Sequence, residues 1–467
     1  MTVNSQASSA TTAFSAGLQH QGGRSIRSTV QAKVPLGKVT MRTGAHAGKT
    51  FGLNWDSHQV LNGHTILVGG SGTGKTHQLR RIISHLAAAG LRVHLLDVHS
   101  DVMPDCPTHT IRFSESTEFG LNPLEVSEDP DFGGPRKKAN AFINLMMRQS
   151  ALGEKQKGAL FRLLIDMYRR YGFYMEDAAT WSLSRDPRTW AKVAKRQPTL
   201  TDLTKAVWEK CVSLKLGVSG SATRKFEEVA KCQKKLHSLR LKNAAGDEVE
   251  DALAKAKTNF LTAIQEALDK MDTGDELEEL IAWDSFDVVK GLHDRLVGLE
   301  RSGIFKGRAP AFDPKVPVWR YDIAPLSREE SQFFVDCLAA QIFAAAKQRG
   351  EADGPDTALV IDEASIFMDK DSDHILNIIA REARKFGVML VLATQEINTF
   401  PPAVISSAAT KIILGVDERF HKATEAAFGM ETGKLKFIQP QKTALVQIKN
   451  KGRAEGLSNR FHEVELS

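Results

Sequence analysis

A chain of 467 residues with 42% hydrophobic residues can bury a large core in two or three soluble domains, which excludes an intrinsically disordered protein. Its formal charge of +6 permits an acidic partner such as nucleic acid but does not require one. The four cysteines, Cys106, Cys211, Cys232 and Cys337, lack C-x-x-C and Cys/His spacing, so neither a zinc site nor a disulfide framework is expected. A reducing cytoplasm is the expected location. No apolar run reaches the roughly 18 residues of a membrane span and the N-terminus lacks the apolar core of a signal peptide, so any membrane link would run through a partner.

In chain order, residues 1–30 are rich in Ser, Thr, Ala, Gln and Gly and read as a flexible tail with no acidic residue before Asp56. Such a basic tail is either simply solvated or an arm for DNA or a membrane surface. Alternation within 34–41 and 49–53 marks 31–62 as a small N-terminal β element, too short for an independent domain. A buried strand at 64–68 then leads into Gly69-Gly70-Ser71-Gly72-Thr73-Gly74-Lys75-Thr76, a full G-x-x-x-x-G-K-[ST] phosphate loop, and a helix with apolar positions Leu79, Ile82, Ile83 and Leu86 follows. The loop glycines with Ser71 and Thr73 wrap backbone N–H groups around a phosphate chain, Lys75 reaches the β/γ-phosphates, and the Thr76 hydroxyl is a Mg²⁺ ligand. ATP and Mg²⁺ are the expected cofactors. A second strand, 92–97, completes a parallel βαβ unit and points Asp97 at the nucleotide edge, where it either orients water near the γ-phosphate or caps the next turn. Residues 108–113 add a strand and 119–124 an extended turn, which gives a first part of the core over 63–134.

Over 135–303 the pattern becomes helical, an all-α insertion. Residues 139–147 and 157–171 carry apolar faces at helical spacing, and 198–203 reads as a helix start with Thr201 or Asp202 near its cap. A helical hairpin is expected farther on, with one seam at Phe226, Val229, Cys232, Leu236 and Leu239, the other at Val249, Leu253, Ala256, Phe260, Ile264 and Met271, and a turn at 244–247. The first arm is basic and the second acidic, so the basic run serves as an intramolecular partner or as a nucleic-acid surface.

The core resumes over 304–467. A strand at 318–323 and a long helix at 329–348 precede the apolar strand 357–361, which ends in Asp362 and Glu363. Asp362 can hold the Mg²⁺ shell, and Glu363 can take a proton from, or orient, the attacking water. The next strand, 388–395, ends in Thr394-Gln395, and Gln395 could sense the γ-phosphate. Arg381 and Arg384 lie at the end of a helix beginning near Asp373, close to the nucleotide edge. They complement the helix dipole or act as an arginine finger on a neighbouring subunit.

The ordered set of residues 64–76, Leu95-Leu-Asp-Val-His99, Asn122-Pro-Leu124, Val360-Ile-Asp-Glu-Ala364, Arg384-Lys-Phe-Gly387 and Ala393-Thr-Gln395 resembles the HerA–FtsK group of ring ATPases. Within it the chain is most similar to HerA-type DNA translocases and the ATPases of conjugative type IV secretion, over about 34–130 and 296–455. The resemblance implies an α/β, RecA-like core, a homohexameric ring with ATP at subunit boundaries, and DNA threaded through the pore. It assigns phosphate and Mg²⁺ to Lys75 and Thr76, metal and water work to Asp362 and Glu363, sensing to Gln395, and a reach into the next site to Arg384 or Arg381. Unlike most secretion ATPases the chain shows no large N-terminal domain, and of a HerA-type N-terminal β-barrel only a remnant is visible. A partner nuclease, relaxase or secretion channel would fit either branch. Basic stretches Arg136-Lys137-Lys138 and 449–453 are pore-loop candidates or ordinary solvated loops.

Overall fold

The computed structural model describes residues 26–40, 49–131, 133–149, 152–183, 195–216, 220–241, 247–268, 286–452 and 459–466. The chain divides into two compact units, one of Met1–Asn122 with Gly303–Ser467 and one of Pro123–Ser302.

The first unit is built on one eleven-stranded sheet. In chain order its strands are β1 (Lys33–Thr40), β2 (Thr50–Asp56), β3 (Thr65–Val68), β4 (Arg92–Asp97), β5 (Thr108–Arg112), β6 (Val318–Asp322), β7 (Thr357–Ile361), β8 (Val388–Thr394), β9 (Thr410–Ile413), β10 (Thr443–Ile448) and β11 (His462–Glu465). Their spatial order is β2-β1-β11-β10-β9-β3-β8-β7-β4-β6-β5. From β9 to β5 every pairing is parallel. β3, β7 and β8 are buried at every position, as continuous apolar strands covered on both faces must be. From β9 outward to β2 the pairing turns antiparallel.

This order differs from the sequence reading in two ways. The helix after β3, α1 (Lys75–Ala88), leads to β4, yet β8 and β7 lie between β3 and β4. Strands from 300 residues later therefore fill the space within the βαβ unit. The N-terminal β element is the outer edge of the same sheet, because β1 pairs with β11, with Lys38 opposite Glu465. Residues 1–25 of the expected tail lie outside the described residues, whereas 26–30 are docked. Arg27 pairs with the Asp356 carboxylate and donates to the Phe386 carbonyl at 3.2 Å, and Thr29 donates through N and Oγ to Asp353 at 2.8 Å each.

The second unit is helical: α2 (Pro135–Gln149), α3 (Glu154–Arg170), α4 (Leu200–Leu216), α5 (Gly220–Leu241), α6 (Asp247–Leu268) and α7 (Phe286–Arg301). Leu163, Leu164, Leu203, Val207, Leu292 and Leu296 are buried where α3, α4 and α7 pack together. α5 and α6 form the hairpin, with Leu236, Ala256 and Ala263 buried in the seam. Met271 and the turn at 242–246 lie outside the described residues, as do the side chains of Phe226 and Val249.

At the start of α4 Asp202 belongs to the cap, as one of the two expected residues, and Thr201 does not. Thr201 instead donates its hydroxyl to Glu300 at 2.6 Å. The cap is Thr199, whose Oγ accepts from Asp202 N at 3.3 Å while the Asp202 carboxylate accepts from Thr199 N at 2.8 Å, a reciprocal capping box. Burial pushes the Asp202 carboxyl up, but hydrogen bonds from Arg196, Tyr171 and Thr199 outweigh it and hold the pKa down at about 2. A depressed folded-state pKa contributes stability above the unfolded value near 3.8 and loses it as the pH falls toward 2. Asp202→Asn should therefore melt below the parent at pH 7, and the gap in thermal midpoint should narrow at pH 3. An equal gap at both values would mean that the carboxylate charge contributes nothing.

Candidate active site

The carboxyl ends of β3, β8, β7 and β4 lie side by side, and each delivers a polar residue to the same edge. β3 runs straight into the phosphate loop. Gly69 N donates to Thr394 O at 3.0 Å and Gly70 N to Gly415 O at 2.9 Å, so the loop is hung from the ends of β8 and β9. Thr73 closes it from within by donating through Oγ to Gly70 O at 2.8 Å. A Cβ on Gly69 would come 2.5 Å from that Thr73 oxygen, which is why glycine is required there. Gly74, in the left-handed region at φ 93°, starts α1 with no side-chain cap and no acidic residue in the first turn. The first N–H groups of this 14-residue helix are thus left for an anion, which fits a phosphate chain. Ser71 and Gly72 form the exposed tip of the loop.

Lys75 enters the site from the first turn of α1. Its Nζ lies 2.9 Å from Glu363 Oε2 and 3.3 Å from Asp362 Oδ1. Burial works against the ammonium, but the two carboxylates outweigh it and raise the Lys75 pKa. The carboxylates diverge. Burial pushes Asp362 up despite Lys75; burial also pushes Glu363 up, but Lys75, Ser365 and Gln395 together hold it down. Glu363 accepts from Ser365 Oγ at 3.0 Å, from Gln395 Nε2 at 3.2 Å and from Gln395 N at 3.4 Å. Its backbone sits at φ 52°, a left-handed conformation that a non-glycine residue holds only under constraint.

At the end of β4, Asp97 Oδ2 accepts from Val102 N at 3.0 Å and from Arg320 Nε at 2.8 Å, so it caps the turn after the strand. Its other oxygen is buried and has no hydrogen-bond partner among the described residues. One carboxylate oxygen each from Asp97, Asp101 and Asp362 lie within 4.8 Å of one another. Three hard oxygen donors and a buried unpartnered oxygen suit a Mg²⁺ ion with its waters, and Thr76 stands one residue beyond Lys75. Arg320, 3% exposed, is the buried counter-charge of Asp97; the sequence reading did not find it, since a lone arginine inside a strand carries no signal. Gln441 was also missed. At φ 65° it donates through Nε2 to Gly72 O at 2.8 Å and fastens the turn before β10 onto the phosphate loop. Between the loop and that turn lies a cavity of about 760 Å³, walled by Gly70, Thr73, Arg419, Phe420 and Ile438, large enough for a nucleoside.

Arg381 and Arg384 are not at this edge. Arg381 donates to Ser372 O at 2.7 Å from α9 (Ile375–Glu382), the helix that follows α8 (Arg328–Arg349), and Arg384 lies in the 3-10 turn that enters the amino end of β8. The seven residues of β8 separate that end from Gln395, a span of roughly 23 Å. Arg384 is instead near buried His64 at the start of β3, whose pKa falls to about 4 chiefly through burial and secondarily through Arg384. The expectation that Arg384 lies close to the nucleotide edge is therefore corrected, since it stands at the opposite end of β8.

No family model matches the sequence. The probable helicase MJECL08 of Methanocaldococcus jannaschii is 42% identical over 66 residues, a stretch spanning 13% of this chain and 13% of that relative. The structure of VirB4 of Thermoanaerobacter pseudethanolicus is similar over 96% of this chain and 98% of its own, with a TM-score of 0.56 at 13% identity. The plasmid coupling protein TrwB, in complex with ADP and Mg²⁺, overlaps 86% of this chain and 84% of its own at a TM-score of 0.45 and 13% identity. The chain has an α/β fold with a large mixed central sheet, a fold it shares with VirB4.

The loop geometry makes one expectation. Gly69→Ala should weaken binding of a fluorescent ATP analogue at least tenfold, by analogy with other steric insults to packed sites, while the far-UV spectrum stays unchanged. Undiminished binding would show that the loop does not need its present shape.

Proposed function

We propose that this chain is an ATP-hydrolysing motor of the HerA–FtsK kind, a homohexamer that moves DNA through its central pore. The observation that carries the reading is the convergence of Lys75, Asp362, Glu363 and Gln395 beside an uncapped helix N-terminus. Glu363 and Gln395 are superfluous in a protein that only binds nucleotide. Loop N–H groups from Gly69 to Gly74 and the Lys75 ammonium hold the phosphate chain. Thr76 and Asp362, with Asp97 and Asp101 alongside, are the oxygen donors for Mg²⁺, which when bound neutralises charge on the phosphates. Glu363 takes a proton from the attacking water or orients it. Gln395, bonded to Glu363 through both its backbone and its side chain, reports the state of that carboxylate to residues 396–402.

A second reading, an ATPase of conjugative type IV secretion that drives assembly or transfer through protein partners, is favoured by the fold shared with VirB4 over nearly the whole of both chains. Among the described residues no helix is long and apolar enough to cross a membrane, so attachment to such machinery would use protein contacts.

Lys75→Ala should lose nucleotide binding, because Lys75 contacts ground-state phosphate charge. Glu363→Gln should keep binding and lose turnover by about 10²-fold or more, because Glu363 acts at water attack. Hydrolysis by Glu363→Gln at the parental rate would overturn the assignment of roles. The parental ATPase rate should rise with double- or single-stranded DNA, and a rate indifferent to both would favour the secretion reading.

A ring would let an arginine of one subunit add a cation to the next subunit's site, beside Lys75 and the Arg419 of the cavity wall. Arg384 is too far along β8 to serve its own loop, which supports its use in trans, with Arg381 as the alternative finger. Arg384→Ala should bind ATP and assemble but hydrolyse slowly, and mixing it with Lys75→Ala should restore activity at interfaces where an intact arginine meets an intact loop. No recovery despite demonstrated subunit exchange would return both arginines to the role of helix-end charges.

A further inference from the structure

Away from the phosphate loop, a second cavity of about 610 Å³ lies beside β9 and α10 (Pro402–Ser407). Ile397, Phe400, Ile405 and Phe428 form its apolar wall, and two lysines, Lys411 and Lys449, enter it with no carboxylate in the lining. Lys411 is only 4% exposed; its Nζ donates to Gln447 Oε1 at 3.1 Å, and among the described residues neither lysine is in an ion pair. A buried ammonium without a counter-charge is costly, and a second ammonium beside it adds repulsion. Both costs vanish when an anion sits between them. Burial first, and Lys449 second, lower the Lys411 pKa to about 8.

We propose that this cavity binds an organic carboxylate carried on an apolar body. The two ammonium groups supply donors for one monoanionic head, and the aliphatic and aromatic wall receives the stem. A phosphate, doubly charged and strongly hydrated, would leave most of its oxygens against Ile, Phe and Ala side chains. Two sources offer the same chemistry: a free apolar acid, or the carboxylate terminus of a polypeptide ending in apolar residues. The site is independent of the nucleotide reading.

Calorimetric titration of the full chain tests it with octanoate, octanol, inorganic phosphate, and an Ala-Leu-Phe peptide with either a free or an amidated C-terminus. Saturable binding of octanoate, or of the free-carboxylate peptide alone, is expected, with no binding of octanol, phosphate or the amidated peptide. The first outcome identifies a free acid and the second a polypeptide end. Lys411→Met should abolish the binding, and it should also hold or raise the ligand-free melting temperature, because it removes an unpaired buried charge. Lys449→Gln should weaken binding at least tenfold, by loss of a charge-assisted partner, and serves if Lys411→Met does not fold. Lys411 and Lys449 are the titratable groups of the lining. Lys411 is charged below about pH 8 and the bound anion favours its charged form, so affinity should fall about tenfold or more between pH 7 and 9.5. Failure of both probes to saturate, or binding that survives both substitutions, overturns the proposal. Binding of phosphate or of an oligonucleotide in place of the carboxylates, lost on Lys411→Met, also overturns it and assigns the lysines to a nucleic-acid backbone.

Discussion

The active edge of the sheet is organised by the contact of Lys75 with Asp362 and Glu363. One ammonium, 11% exposed at its side chain, stands between two carboxylates that are more buried or equally so. Removing the lysine would leave two carboxylates facing each other without a counter-charge in a poorly solvated place, whereas removing one carboxylate leaves a balanced pair. The cluster also joins segments far apart in the chain, since Lys75 and Glu363 are 288 positions apart. It therefore fixes α1 against β7 at the same time as it sets the site's chemistry. The two carboxylates are pushed in opposite directions because Glu363 receives hydrogen bonds from Ser365 and Gln395 as well as Lys75.

Backbone conformation carries the same signature. Ser100, Glu363 and Gln441 are the non-glycine residues with positive φ among the described residues, and all three border the phosphate-loop edge. Each is over-determined by its surroundings. Ser100 Oγ donates to Asp322 Oδ2 at 3.0 Å, Glu363 is held by the ion cluster, and Gln441 is fastened to Gly72. Left-handed conformations cost of order 1–3 kcal/mol each and persist where contacts hold them, which is typical of functional sites.

Local signals in the sequence were strong where chemistry forces a residue type. The phosphate loop, the Asp362-Glu363 pair and the apolar runs of β3, β7 and β8 could all be read because neighbours in sequence define them. The order of strands could not, because β8 and β7 enter between β3 and β4 through pairings that leave no trace in local periodicity. Arg384 precedes β8 and so stands at its amino end, a strand's length from the carboxyl edge that carries the loop. Thr199 rather than Thr201 pairs with Asp202 at the start of α4, a difference of two positions, and such boundaries are weakly encoded. Arg320 and Gln441 act only through partners that the fold brings to them.

The strand order also has a consequence for how the chain acquires its structure. β3 has β8 and β9 as its neighbours, and His64 at its entrance accepts a hydrogen bond from Leu390 N across 326 positions. Bringing such distant segments together costs loop-closure entropy before any contact repays it, and folds dominated by remote pairings assemble slowly. During synthesis the phosphate loop emerges early but cannot be seated until β8 and β9 have left the ribosome. The helical unit, whose contacts close within Pro123–Ser302, meets no such delay. At typical elongation rates of about 5–20 residues per second the nascent core waits on the order of tens of seconds with β3 and β4 unpaired on their future inner edges. Its yield in the cell should therefore depend on what shields those edges during that interval more than on the stability of the finished sheet.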